Sequence, residues 1–124
     1  MSVSVLVVDD EKDLVEGVTV LLEDLGYQVY GAHDGQTALA VLQEKKPDVL
    51  ILDMNLPRWS GEAVLRELSA FGLKTKVIIS SGHDLNDGAL RARFLKNFGV
   101  SAFLGKPASI QEMIDAIQKV LKNE

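Results

Sequence analysis

Short apolar runs of strand length alternate with longer amphipathic runs along this chain of 124 residues, and the alternation constrains the fold more than any other feature. Strands are predicted at residues 3–8, 27–32, 48–53, 76–80 and 102–104. The first and third are almost continuously apolar, which is typical of strands buried on both faces. Apolar residues at helical spacing predict helices around residues 14–25, 37–45, 61–71, 90–98 and 110–121. The apolar stripe of the first helix consists of Leu14, Val18, Leu21, Leu22 and Leu25.

Five strands that alternate with five helices predict an α/β fold with a parallel sheet covered on both faces and right-handed βαβ units. Because the first and third strands are the most apolar, we predict the doubly wound order 2-1-3-4-5, a flavodoxin-like (βα)5 three-layer sandwich. No repeat, linker or low-complexity tract divides the chain, so residues 1–124 are predicted to form a single domain. Ligands are expected at the crevice between strands 1 and 3, where the strand order reverses.

Charge and composition exclude several classes of protein. With 13 basic and 18 acidic residues, the formal net charge is −5, which disfavours direct binding to nucleic acid or to an anionic membrane. The absence of cysteine excludes disulfides, thiolate zinc sites and thiol nucleophiles. The first apolar run reaches Asp9 and Asp10 too soon for a signal peptide or a membrane span. We therefore expect a soluble, cytoplasmic protein.

Acidic residues follow both of the central strands. Asp9 and Asp10 close the first strand and Asp53 closes the third, so the predicted order brings three carboxylates together. Like charges about 4 Å apart repel by roughly 4 kcal/mol per pair at an effective dielectric near 20, which favours a bound cation. Oxygen ligands without His or Cys beside them favour Mg²⁺, with Mn²⁺ as the alternative ion. The competing interpretation is that these acids simply end strands in solvent, near helix N-termini.

Two further strand ends supply a hydroxyl and an ammonium group. The fourth strand is followed by Ser81-Gly82, and Lys106-Pro107 follows the fifth. Carboxylates, a cation, a hydroxyl and an ammonium group are the components that stabilise a phosphoryl group during transfer. A carboxylate can itself be the nucleophile and form an acyl phosphate.

In this order and at these strand ends, the motifs resemble those of the receiver domain of two-component response regulators. The matching segments are Asp9-Asp10-Glu11, Asp53-Met54-Asn55-Leu56-Pro57 with Ser60-Gly61 after it, Ser81-Gly82, and Phe103 three residues before Lys106-Pro107. The resemblance covers essentially the whole chain. It implies a phosphorylation-dependent signalling switch in a phosphorelay, which catalyses only its own phosphorylation and dephosphorylation and is not otherwise an enzyme.

The resemblance also implies a role for each matching residue. Asp53 would accept a phosphoryl group from a phosphohistidine of a sensor histidine kinase or a phosphotransfer protein. Asp10, with Asp9 acting through water, would hold Mg²⁺ beside it, and Asn55 would contribute its backbone carbonyl. Ser81 would bond a phosphoryl oxygen, and Lys106 would pair with the phosphoryl group after transfer.

In the switch that the family implies, inward movement of the Ser81 hydroxyl is coupled to rotation of Phe103, which alters the surface of helix 4, strand 5 and helix 5 for a partner. Asn55 and His83 are candidates for modulating the reaction rate, although an exposed loop position is the competing interpretation of His83. Departures from the family pattern are Ser81 where Thr is more usual, Phe103 in place of Tyr, and Ala108 where an aromatic residue is frequent.

Other charged, apolar and aromatic residues lie outside these motifs. Arg91, Arg93 and Lys96 on helix 4 indicate either a solvated helix face or contact with an acidic partner, and Leu95 is predicted to be exposed. Trp59 is read either as a partner anchor or as a lid over the neighbouring loop. His33 is assigned no function.

Two other functions stay open. A receiver fold can serve as a phosphorylation-independent adaptor, although all of the site residues are present here. An aspartyl-phosphate phosphatase would use Asp53 as its nucleophile, but such enzymes usually need a second acid two residues later, where this chain has Asn55. The downstream protein or output domain is not indicated, and the chain is either a stand-alone regulator or a receiver cut from a longer kinase or regulator.

Overall fold

Strands and helices alternate along the computed structural model, which describes residues 2–56, 58–72, 74–82, 88–106 and 108–122, with the backbone alone for Leu90. The elements in chain order are β1 (Ser4–Val8), α1 (Lys12–Asp24), β2 (Gln28–Ala32), α2 (Gly35–Lys45), β3 (Val49–Asp53), α3 (Gly61–Phe71), β4 (Lys76–Ser81), α4 (Gly88–Phe98), β5 (Ala102–Gly105) and α5 (Ile110–Lys122). The predicted α/β class is therefore confirmed.

The five strands form one parallel sheet in the order β2-β1-β3-β4-β5, as predicted. Val8 at the end of β1 pairs with Leu52, and Asp53 at the end of β3 pairs with Ser80. The carboxyl ends of the central strands are thus level with one another. Side chains that follow these strands meet at a single edge of the sheet.

The alternation of side chains along the strands divides the apolar core between the two faces of the sheet. Leu6, Leu50 and Ile79 belong to the core on one face, which α2, α3 and α4 cover. Val5, Ile51 and Ile78 belong to the core on the other face, which α1 and α5 cover. Because β1, β3 and β4 are buried on both faces, the strands that carry the acidic residues are firmly held.

Helix α1 buries less of its apolar surface than its sequence predicts. Val18 and Leu22 are buried as expected, but Leu21 and Leu25 are 48% and 56% exposed, and Val15 takes part in the core instead. The helix has apolar residues on more of its circumference than one sheet face can cover. Leu21 and Leu25 therefore lie at the solvent side of the apolar stripe.

Hydrogen bonds at the helix ends fix several boundaries. The Asp34 carboxylate accepts a hydrogen bond from the backbone N–H of Thr37 at 2.7 Å, so α2 begins two residues earlier than predicted. Ser109 and Glu112 form a capping box at the start of α5, because the side chain of each accepts a hydrogen bond from the other's backbone N–H. None of the helices in the described ranges has the length and apolar content that a membrane span requires.

Candidate functional site

Three carboxylates meet at the carboxyl edge of the sheet. Asp9 and Asp10 directly follow β1, and Asp53 is the last residue of β3. One oxygen from each carboxylate lies within 4.8 Å of the other two. Asp9 and Asp53 are each 3% exposed, whereas Asp10 is exposed to solvent. The strand order therefore produces the acidic cluster that the sequence predicts.

An ammonium group lies within this cluster. Lys106 follows β5, and its Nζ lies 2.6 Å from Oδ2 of Asp9 and 3.0 Å from Oδ2 of Asp53. Burial by itself would lower the pKa of the Lys106 ammonium, but its hydrogen bonds to Asp9 and Asp53 outweigh that effect and hold the pKa above its ordinary value. Lys106 is therefore a bound cation that bridges two buried carboxylates.

Backbone groups fix the orientation of the acidic side chains. Oδ1 of Asp53 accepts a hydrogen bond from the backbone N–H of Asn55 at 3.0 Å, and Oδ1 of Asp9 accepts one from Glu11 at the same distance. The remaining oxygen of each buried carboxylate contacts Lys106. Both buried acids are thus held at each of their oxygens, which limits the conformations open to them.

The start of α3 lies against the loop that follows β3. The Ser60 hydroxyl caps α3 by accepting a hydrogen bond from Ala63 at 3.2 Å, and the N–H of Gly61 donates to the carbonyl of Met54 at 3.0 Å. A Cβ atom on Gly61 would lie only 2.8 Å from the Cα of Met54, so glycine allows this approach. Helix α3 therefore supports the backbone that carries Asp53.

The donor set fits a hard divalent cation. Carboxylate oxygens are ligands that Mg²⁺ and Mn²⁺ favour, and three carboxylates with one ammonium leave two net negative charges at the cluster. A divalent ion would balance this charge. The exposed Asp10 gives such an ion access from solvent.

Ser81 and Phe103 line an open cavity on the α3–α4 side of the sheet. Its volume is about 310 Å³, and it is also lined by Glu62, Arg91, Arg93 and Phe94. Ser81 is buried at the end of β4, whereas the neighbouring Ser80 lines a separate cleft with Lys106 on the other side. The two candidates for the switch therefore share one cavity. Asn55 lines it too.

Helix α4 makes two contacts beside this cavity that the sequence analysis missed. The guanidinium of Arg91 lies 4.9 Å from the centre of the Phe103 ring, and Arg93 forms an ion pair of 2.6 Å with Glu62 on α3. The predicted exposure of Leu95 is confirmed at 52%. The sequence predicts only a solvated or partner-binding face for these arginines. It does not predict the two contacts, because no local pattern marks contacts between residues so far apart in the chain.

A histidine at the site was also missed. His33 follows β2 directly, and its Nδ1 lies 3.3 Å from the backbone carbonyl of Asp9. The pairing of Val8 with Ala32 brings the two segments together, and this register is the signal that could have predicted the contact. The candidate His83 lies outside the described residues. Trp59 is half-buried and packs beside Gly35 at the start of α2.

Comparisons with known proteins identify the family of the chain and agree with its fold. The family model of the response regulator receiver domain matches residues 5–118. The transcription regulator BvgA of Bordetella pertussis is 33% identical over 118 residues, which are 94% of this chain and 55% of BvgA. The response regulator MprA of Mycobacterium tuberculosis is 31% identical over 122 residues, which are 98% of this chain and 52% of MprA. The chain thus spans about half the length of these relatives.

Solved structures of receiver domains superpose closely on the chain. The receiver domain of a Luxo repressor protein from Vibrio parahaemolyticus has a TM-score of 0.87 and 29% identity, and covers 99% of this chain and 92% of that one. The receiver domain of Francisella response regulator 1452 has a TM-score of 0.86 and 30% identity, with 98% of each chain covered. From its family match, its relatives and its fold, the chain belongs to the receiver domain family of response regulators.

Proposed function

We propose that the chain is a phosphorylation-dependent signalling switch in which Asp53 is the phosphoacceptor. The observation that carries this proposal is the environment of the Asp53 carboxylate. It is buried, oriented by the backbone N–H of Asn55, bridged by Lys106 and adjacent to two further carboxylates at the open edge of the sheet. Such a site favours transfer of a phosphoryl group to the carboxylate over general acid–base work.

In the proposed step, an oxygen of Asp53 attacks the phosphorus of a phosphohistidine. An O–P bond forms and the N–P bond breaks, and the histidine nitrogen leaves with the electron pair of that bond. Lys106 moves its ammonium from Oδ2 of Asp53 towards the new phosphoryl oxygens, where the negative charge now lies. The short distance of 3.0 Å in the resting site supports this role.

The proposal includes Mg²⁺, or Mn²⁺ in its place. Asp10 and Asp53, the backbone carbonyl of Asn55, and Asp9 acting through water would hold the ion. When bound, it neutralises charge on the transferring phosphoryl group. Asp9 also keeps its ion pair with Lys106, which positions the ammonium for transfer.

Ser81 and Phe103 are the proposed switch. The hydroxyl of Ser81 would donate a hydrogen bond to a phosphoryl oxygen and move inward. Phe103 would then turn into the cavity that both residues line. This movement would alter the surface of α4, β5 and α5, which we propose is read by a downstream protein or by an output domain. Asn55 and His83 stay candidates for modulating the lifetime of the phosphoryl group.

The proposed phosphodonor is a sensor histidine kinase or a phosphotransfer protein in the cytoplasm. Membership of the receiver family and the identity to BvgA and MprA support this class of partner. The formal net charge of −5 supports a protein partner rather than direct contact with nucleic acid.

Intact mass spectrometry tests the phosphoacceptor assignment. The wild-type protein is incubated with acetyl phosphate and Mg²⁺, with and without a chelator, beside the variant Asp53→Asn. We expect the mass of one phosphoryl group to be gained by the wild type only with Mg²⁺, and none to be gained by the variant.

Modification that persists in Asp53→Asn would show that the acceptor is misassigned. A folded wild type that gains no phosphoryl group from acetyl phosphate or from a histidine kinase would contradict the proposal. That result, together with unchanged partner binding by Asp53→Asn, would favour the alternative function, a phosphorylation-independent adaptor.

A further inference from the structure

Helix α4 is attached to its neighbours on both sides of the cavity that Ser81 and Phe103 line. On one side, Arg93 pairs with Glu62 of α3 at 2.6 Å. On the other, the guanidinium of Arg91 lies 4.9 Å from the centre of the Phe103 ring on β5. Arg91 and Arg93 are separated by one residue in the same helix, so both contacts act on one rigid element.

These contacts bear directly on the movement of Phe103. An apolar cavity of about 150 Å³ is enough to hold benzene, so the cavity of about 310 Å³ has room for the ring. Arg91 lines the same cavity, and a turn of the ring from its present position would change the placement of the ring face under the guanidinium, on which the cation–π contact depends. The ion pair to Glu62 meanwhile holds α4 at its present distance from α3. Both contacts therefore favour the resting arrangement.

We propose that Arg91 and Arg93 are positioning residues that hold α4 and the Phe103 ring in the resting arrangement and so oppose phosphorylation. The proposal rests on the proposed function, because the two contacts would favour the resting state of the proposed switch over its phosphorylation-competent state. Each contact is partly exposed, and such contacts shift an equilibrium by roughly two- to fivefold. If the phosphorylation-competent state is the less populated one, losing a contact raises the rate of phosphorylation by the same factor.

The chain supplies matched controls. Glu62 accepts a second ion pair of 2.6 Å from Arg66, which lies on the same helix and does not reach α4. Arg66→Ala therefore removes an arginine from the same carboxylate without releasing α4. Lys96→Ala removes a positive charge from α4 itself, at an exposed position. The test variants are Arg93→Ala and Glu62→Gln, neither of which removes the cation that contacts Phe103.

Two measurements are made on the full chain. The first is the initial rate of phosphoryl gain from acetyl phosphate at saturating Mg²⁺, by intact mass. The second is the ¹⁹F NMR spectrum of unphosphorylated protein labelled with fluorophenylalanine. The four phenylalanines give four resonances, and Phe103→Leu identifies the one from Phe103. This resonance reports the position of the ring, which a general loss of stability would not move selectively.

We expect Arg93→Ala and Glu62→Gln to raise the initial rate by about two- to fivefold and to shift or broaden the Phe103 resonance. The two controls should match the wild type in both measurements. A Phe103 resonance that stays unchanged in both test variants overturns the proposal, as does an equal change in Arg66→Ala. Failure of the wild type to gain a phosphoryl group contradicts the proposed function instead, and the resonance then still decides whether the arginines position the ring.

Discussion

Replacement of Gly61 by alanine tests the support that α3 gives to Asp53, the proposed acceptor. A Cβ atom at this position would lie 2.8 Å from the Cα of Met54 and 3.1 Å from the carbonyl oxygen of Asp53. Both neighbours are backbone atoms, so turning a side chain cannot relieve the clash. Gly61→Ala must therefore displace either the start of α3 or the segment that follows β3.

The expected cost follows from two opposing effects. Overpacking in a close contact destabilises a protein by about 1–3 kcal/mol. Alanine also restricts the unfolded chain more than glycine does, which returns about 0.4–1 kcal/mol. With about 2 kcal/mol for the overpacking, the middle of its range, we expect a net loss of about 1–2 kcal/mol in the free energy of unfolding. For a chain of this length, that loss lowers Tm by roughly 3–8 °C.

Gly17 provides the matched control, because it lies at an exposed position within α1. A Cβ atom there would meet no atom within 4 Å. Gly17→Ala should therefore stabilise the protein by about 0.5–1 kcal/mol, through the higher helix propensity of alanine. Urea unfolding of both variants, followed by circular dichroism, measures the two changes under the same conditions.

The displacement should also affect the site, since the crowded atoms belong to Asp53 and Met54. We expect Gly61→Ala to gain a phosphoryl group from acetyl phosphate more slowly than the wild type, at a temperature where both are folded. Gly17→Ala should react at the wild-type rate. If Gly61→Ala is as stable as Gly17→Ala and reacts as fast, the argument that α3 supports the acceptor is wrong.

Three further predictions concern single side chains. Lys106→Ala should keep its circular dichroism spectrum but gain a phosphoryl group about 10²-fold more slowly, because the transferred charge loses its ammonium partner; a wild-type rate by intact mass would contradict the proposed role. Asp10→Asn should weaken Mg²⁺ binding by roughly tenfold or more in calorimetric titrations, and unchanged affinity would remove Asp10 from the metal site. Asp34→Ala should lose about 1 kcal/mol of stability with the helix cap. The hydrogen bond from the backbone of Thr37 lowers the pKa of Asp34, so the difference in stability between the wild type and Asp34→Ala should be largest above pH 4 and shrink as the pH falls further. A difference in stability that grows as the pH falls would contradict the lowered pKa.

The sheet could be predicted because its strands are defined by local apolar runs. β1 and β3 are buried on both faces, and their sequences show this directly. Strands buried on both faces belong near the centre of a sheet, which led to the predicted strand order. That order brings Asp9 and Asp53 together, as the structure does. The acidic cluster was accessible from sequence because each of its members directly ends a strand.

The parts that could not be predicted depend on packing between distant segments. The apolar spacing of α1 does not show that Leu21 and Leu25 are exposed, because the helix has more apolar residues than one face buries. The resting ion pairs of Lys106 were not predicted, since its expected partner was the phosphoryl group. The contact of Arg91 with Phe103 likewise has no signal in spacing or composition.

The ion pair between Lys106 and Asp9 has a consequence for the stage of synthesis at which the site is complete. It joins residues 97 positions apart, so a ribosome makes Asp53 and its acidic neighbours long before it makes the lysine that bridges them. A nascent chain that has folded only as far as β3 holds the carboxylates without their ammonium group. On the proposed role of Lys106, phosphoryl transfer to such a chain stays slow until β5 has docked on β4, so an unfinished chain competes poorly with finished copies for phosphoryl groups.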